Sequence, residues 1–126
     1  MTAGRPGVAP PGWPEQVRPP GAPDWEGTAV SWLFDQCPPD YRAYDVLRRY
    51  PVVLARFAAS CVEGAVAAAD AGLRTARAQL RDQVPPEAVE AAVAAYEREG
   101  NRLRAARRAV DLVERALRGE RWVPRL

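Results

Sequence analysis

Two stretches of this chain place an apolar residue at every seventh position, and no other feature constrains the fold as tightly. Val89, Tyr96, Leu103, Val110 and Leu117 form one series; Val52, Ala59, Val66, Leu73 and Leu80 form the other. A seven-residue apolar repeat marks helices packed along a shared seam. Pairing Leu80 with Val89, Leu73 with Tyr96, Val66 with Leu103, Ala59 with Val110 and Val52 with Leu117 keeps the sum of residue numbers constant, as an antiparallel return demands. The midpoint falls between Val84 and Pro85, inside "QVPPE", where local chemistry already predicts a turn. A second series obeys the same rule: Ala55, Val62, Ala69 and Ala76 against Val113, Ala106, Glu99 and Ala92. The spacing therefore predicts two helices of about 32 residues, each roughly 48 Å long at about 1.5 Å per residue. They run over 52–83 and from Pro86 to a stop after Gly119. Pro51 and Pro86 suit first helical turns, where the amide that proline lacks would have no partner.

Leu54, Phe57, Cys61 and Ala65 make a further apolar line on the first long helix that points away from the seam and needs its own cover. Upstream, "PDWEGTAVSWLFDQCPP" has helical spacing, with Trp25, Ala29, Trp32 and Leu33 on one side and Asp24 placed to cap the N-terminus. Asp40 is placed to cap a second short helix over Tyr41 to Arg49, with Tyr44 and Leu47 inward. These two helices are the expected cover, and they put the mass at the base of the hairpin, where the terminal "RWVPRL" also arrives. Residues 70 to 100 should project as a solvated arm. The opening, residues 1 to 23, holds seven of the thirteen prolines and forms no ladder. It reads as an extended strap whose Trp13 and Val17 need a surface, either this chain's own body or another protein. The expected fold is all-α. It is a long antiparallel helical hairpin, coiled-coil-like, with two short N-terminal helices on its base, extended terminal straps, and one helical domain over 24–126.

Composition narrows the function classes. The chain has no Lys and no His, and its 18 Arg stand against 16 acids for a net charge of +2. Without His, the commonest general base and metal ligand is missing. No Gly-rich phosphate loop, no cysteine pair at metal spacing and no Ser beside a base is present, so neither an enzyme nor a cofactor is expected. Asp35, Asp40 and Asp45, near Tyr41 and Tyr44, are the one carboxylate cluster that invites an acid–base or metal reading, and capping explains them more simply. Cys37 and Cys61 follow no apolar leader and read as small buried thiols in a reducing cytoplasm. No run approaches the roughly eighteen uncharged apolar residues of a membrane span, so no membrane partner is expected.

What remains is recognition. Trp13, Trp25, Trp32 and Trp122 are the candidate partner contacts, since aromatic side chains anchor interfaces as readily as they fill small cores. The small Ala71, Ala78, Ala88, Ala91 and Ala95 outside the seam would tolerate a second hairpin, giving a homodimeric four-helix bundle. The alternative partner is nucleic acid, through Arg98, Arg102, Arg104, Arg107 and Arg108. At about 100° per residue, however, Arg98 and Arg102 fall on one flank and the other three on the opposite side. Arg107 can also pair with Asp111, and Glu114 with Arg118, at i to i+4. At mid-arm, Asp70, Gly72, Glu99, Gly100 and Asn101 form either a notch or a wet polar layer in the seam.

Taken together, "PPGWPEQVRPPGAPDWEGTAVSWLFDQCPPDYRAYDVLRRYPVVLARF" and the terminal "RWVPRL" resemble small helical actinobacterial proteins of no known activity. The resemblance covers most of the chain and implies a cytoplasmic bacterial protein; it carries no functional residues with it.

Overall fold

The computed structural model describes residues 9–124. Its elements are α1 (Trp25–Asp35), a 3-10 turn (Pro39–Ala43), α2 (Asp45–Arg49), α3 (Pro51–Leu80) and α4 (Pro86–Leu117), with no strand among the described residues. Each long helix opens on its proline, as that residue's fixed φ favours. Leu80 ends α3 earlier than the spacing suggested, because Gln83 and Val84 both donate to its carbonyl and close the turn there. α4 ends in a Schellman motif: Gly119 at φ +91° donates to Ala116, and Glu120 donates to Arg115. These bonds satisfy two carbonyls of the last turn and swing the tail back over the base.

α3 and α4 pack together along most of their length. The ion pairs between them, Arg56–Glu114, Glu63–Arg107, Asp70–Arg104 and Arg77–Glu90, rise along α3 as they fall along α4, so the two helices run in opposite directions. Ala55, Ala58 and Ala59 are completely buried, which lets the axes approach closely near the base. The expected stripe holds on α3, where Ala55, Val62, Ala69 and Ala76 are all buried.

On α4 the second stripe runs one residue later than expected. Val93, Gly100 and Glu114 are buried, whereas Ala92 is half-buried and Glu99 is exposed. Glu99 is thus no seam residue. Charge explains the choice, since this rotation keeps Glu99 in water beside Arg102 and sets Arg107 and Glu114 at the seam edge opposite Glu63 and Arg56. Val113, from the expected stripe, is fully buried near the base, where α1 contacts α4.

The largest fully buried side chains, Leu33, Leu47, Leu54, Val110 and Val113, come from all four helices and mark the core at the base. α1 contributes Ala29, Trp32, Leu33 and Phe34. Asp24 does occupy the N-cap position, but its carboxylate makes no cap bond and pairs with Arg18 at 3.4 Å. Beside it, the Arg18 amide donates to Thr28 Oγ1, tying the strap to α1. The second short helix is split, because Tyr44 adopts an extended φ of −83° and ψ of 106° between the 3-10 turn and α2. Leu47 points inward as expected; Tyr44 is instead 55% exposed, its ring set edge-on to Tyr41. Within the strap, Val17 belongs to the core cluster and Trp13 packs against it.

Candidate functional site

The strap crosses α4 at Leu112, where a Cβ on Gly12 would lie 3.5 Å from Leu112 Cδ1. A concavity opens on each side of the crossing. The larger, about 620 Å³, is walled by Trp13 and Pro20 from the strap, Trp25 from α1, Arg115 near the end of α4, and Arg121 and Trp122 from the tail. That volume lies in the range of small-ligand and anchor-residue sites. The smaller, about 490 Å³, is bounded by Pro11, Gly12, Arg107, Arg108, Asp111 and Leu112.

Three of the four tryptophans therefore converge. Trp13 and Trp25 lie 6.4 Å apart at 47°, and Trp13 Nε1 donates to the Val17 carbonyl at 2.9 Å, which locks its ring as part of the wall. Trp122 is 41% exposed. Trp32 does not join them: it is 7% exposed and belongs to the core, so it offers a partner no surface. Arg115, Arg121 and Leu112 escape the sequence reading. Leu112 carries a signal, being an apolar residue outside both seam series; Arg121 carries none, since its placement depends on the turn at Gly119.

The basic flank is largely neutralised. Arg102 pairs with Glu99, Arg104 with Asp70 at 2.6 Å, and Arg107 with Glu63 at 2.8 Å, while Arg98 and Arg108 make no ion pair among the described residues. Arg107 reaches across to α3, and Asp111 is left to Arg115 at 3.2 Å. The expected Glu114–Arg118 pair is present, and Glu114, itself 7% exposed, also accepts from Arg56 at 3.1 Å. At mid-arm, the ring of Tyr96 rests on Gly72, so the notch there is filled by this chain's own side chain.

No group of three or more His, Cys, Asp or Glu among the described residues is arranged to hold a metal. Asp35 pairs with Arg42 at 2.8 Å and Asp45 with Arg49 at 3.6 Å. The two cysteines are free thiols. Burial pushes the Cys37 thiol up to about 12, and the Cys61 thiol beside it adds to the rise. Cys61 also holds the Tyr41 hydroxyl above its ordinary value. A thiol this hard to ionise is a poor nucleophile.

α3 is long and apolar enough on average to cross a membrane, although no run in it reaches eighteen uncharged apolar residues. One 18-residue window has a mean hydropathy of 1.6, of which 33% is buried. Ala and Val carry that average despite Arg56 and Glu63. The same helix supplies Leu54, Ala55, Ala58 and Ala59 to the core.

No protein-family model, curated protein or solved structure matches the chain.

Proposed function

We propose that this chain is a non-enzymatic protein–protein interaction module that docks onto a larger assembly in the bacterial cytoplasm through the tryptophan-walled groove at its base. The convergence of Trp13, Trp25 and Trp122 around one open concavity supports this reading above all. Aromatic rings gathered at a surface, with part of their area still in water, are the usual anchors of interfaces. The framework we infer is a coiled-coil-like antiparallel hairpin of α3 and α4. It holds the groove rigidly at one end through α1, α2 and the straps; the seven-residue series and the four cross-helix ion pairs support it.

The test is affinity capture from native extract with the wild-type chain and Trp122→Ala in parallel. A protein retained by the first and lost by the second supports groove docking; equal retention, or none by either, counts against it. A second reading, self-association, is favoured by one observation: Ala71, Ala78, Ala91 and Ala95 are all exposed on the long helices. Light scattering on the eluting untagged chain separates the two, because a dimeric mass that survives Trp122→Ala assigns the assembly to the hairpin faces.

A further inference from the structure

The two cysteines are remote in sequence and adjacent in the fold. Cys37 closes the turn after α1, its amide donating to the Phe34 carbonyl and its Sγ to the Leu33 carbonyl at 3.5 Å. These bonds hold its buried side chain toward the core. Tyr41 follows in the 3-10 turn, its amide donating to the Pro38 carbonyl, and its ring stands edge-on to Phe57 of α3 at 6.0 Å. Phe57 and Cys61 lie one helical turn apart on the same side of α3. The chain leaving α1 therefore lays Cys37 and Tyr41 over α3 between Phe57 and Cys61, where α1 and α3 pack together. Cys61 packs against the core cluster that contains Cys37, and its thiol lies against both the Cys37 thiol and the Tyr41 hydroxyl.

Groove docking makes no use of this pair. Ala58, Ala59 and Val62 fill the neighbouring core without a reactive group, so packing alone does not call for two thiols side by side. The two also differ in access. Cys61 is half-buried and keeps an edge in water, while Cys37 is closed off behind it. That asymmetry separates a thiol that meets a solution oxidant from one that can be reached only by its neighbour.

We propose that Cys37 and Cys61 are a redox pair that closes to a disulfide within the folded chain, Cys61 meeting the oxidant and Cys37 resolving it. The oxidant is a low-molecular-weight disulfide. The Cys61 sulfur, giving up its proton, attacks one sulfur of that molecule and releases the first small thiolate. Cys37 then loses its proton, attacks the Cys61 sulfur of the mixed disulfide and expels the second. Both cysteines are oxidised, the small disulfide is reduced to two thiols, and the two protons end on those thiols. Burial keeps Cys37 protonated, so its attack is the slow step. The bond joins the end of α1 to α3 and makes a ring of the segment between them. That ring contains the 3-10 turn, α2 and the exposed Tyr44, Val46, Tyr50 and Phe57, so oxidation fixes the part of the base built from the shortest elements.

The test treats the reduced full chain, without denaturant, with hydroxyethyl disulfide and follows the intact mass. Wild type should pass through a single adduct and end lighter than the reduced chain by two hydrogens, as a monomer whose non-reducing peptide map links Cys37 to Cys61. Cys37→Ser should stop at the adduct on Cys61, and Cys61→Ser should take no adduct. The oxidised wild type should unfold at a higher urea midpoint than the reduced one, because the ring restricts the unfolded chain. A wild type that ends as the Cys61 adduct, or that links only between chains, would overturn the pair. An adduct on Cys37 in the Cys61→Ser chain would overturn the assignment of the two roles. A lower midpoint on oxidation would show that the bond strains the fold and would overturn closure in the native state.

Discussion

Gly72 offers the sharpest test of how the arm is built. The Tyr96 ring lies over it, and a Cβ built there would have three ring carbons in contact, the farthest only 2.9 Å away. Gly72→Ala therefore sets two terms against each other. Replacing glycine inside a helix gains about 1 kcal/mol. Ejecting the Tyr96 ring, which is 38% exposed where it sits, returns on the order of 100 Å² of apolar surface to water. At about 25 cal/mol per Å² that costs about 2.5 kcal/mol. The expected net is a loss of about 1.5 kcal/mol, read as a lower urea midpoint by circular dichroism. Gly64→Ala is the control. Nothing lies within 4 Å of its Cβ, so it should gain the full propensity term of about 1 kcal/mol. In a Tyr96→Ala background, Gly72→Ala should behave like Gly64→Ala, giving a coupling of about 2.5 kcal/mol across the cycle. If Gly72→Ala stabilises the otherwise wild-type chain as much as Gly64→Ala does, the ring is not seated there and the mid-arm packing is wrong.

Three further outcomes are expected. Arg77 clasps Glu90 through two bonds, of 2.9 and 3.2 Å, and holds its carboxyl below the ordinary value of 4.5. The resulting stabilisation is present above about that pH and lost as pH falls through the depressed value. Acid titration of unfolding should flatten in this window for Glu90→Gln, and the effect should be small and salt-sensitive because both partners are exposed. For Cys37 the sign reverses: its thiol stays protonated to about 12 in the fold but ionises from about 9.0 when unfolded. Stability should therefore fall with rising pH across that interval, less so for Cys37→Ala. Iodoacetamide at pH 8, followed by mass spectrometry, should leave Cys37 unmodified until denaturant is added.

The starts of both long helices and the stop of α4 are legible in the sequence because they rest on local chemistry. Pro51, Pro86 and Gly119 act through their own backbone preferences, and no distant residue is needed to read them. The seam phase of α4 is legible only in part. Its apolar pattern admits two neighbouring stripes, one through Ala92 and one through Val93, and the choice falls to Glu63 and Arg56, which lie on the other helix. Tyr44 is misplaced by the pattern for a similar reason. Helical spacing puts it beside Leu47, but the chain leaves helical geometry at Tyr44 itself, between the 3-10 turn and α2. Of the groove, the tryptophans are visible as candidates, while their grouping is not. Trp122 is brought to the same well as Trp25 by the left-handed turn at Gly119, and Trp32 is turned inward on α1, neither of which a one-dimensional pattern records.

The apolar character of α3 has a consequence for how the protein is made. Synthesis runs from the N-terminus, so α3 emerges from the ribosome before α4, its main packing partner. At about 5–20 residues per second, several seconds pass before Leu117 is added. Until α4 docks, α1 and α2 can shelter the first turns of α3, while its seam residues Val62, Ala69 and Ala76 lack their partner helix. The order of elements thus makes translation speed through α4 a determinant of yield. Slowing the ribosome there would lengthen the time in which the uncovered seam of the nascent chain can aggregate.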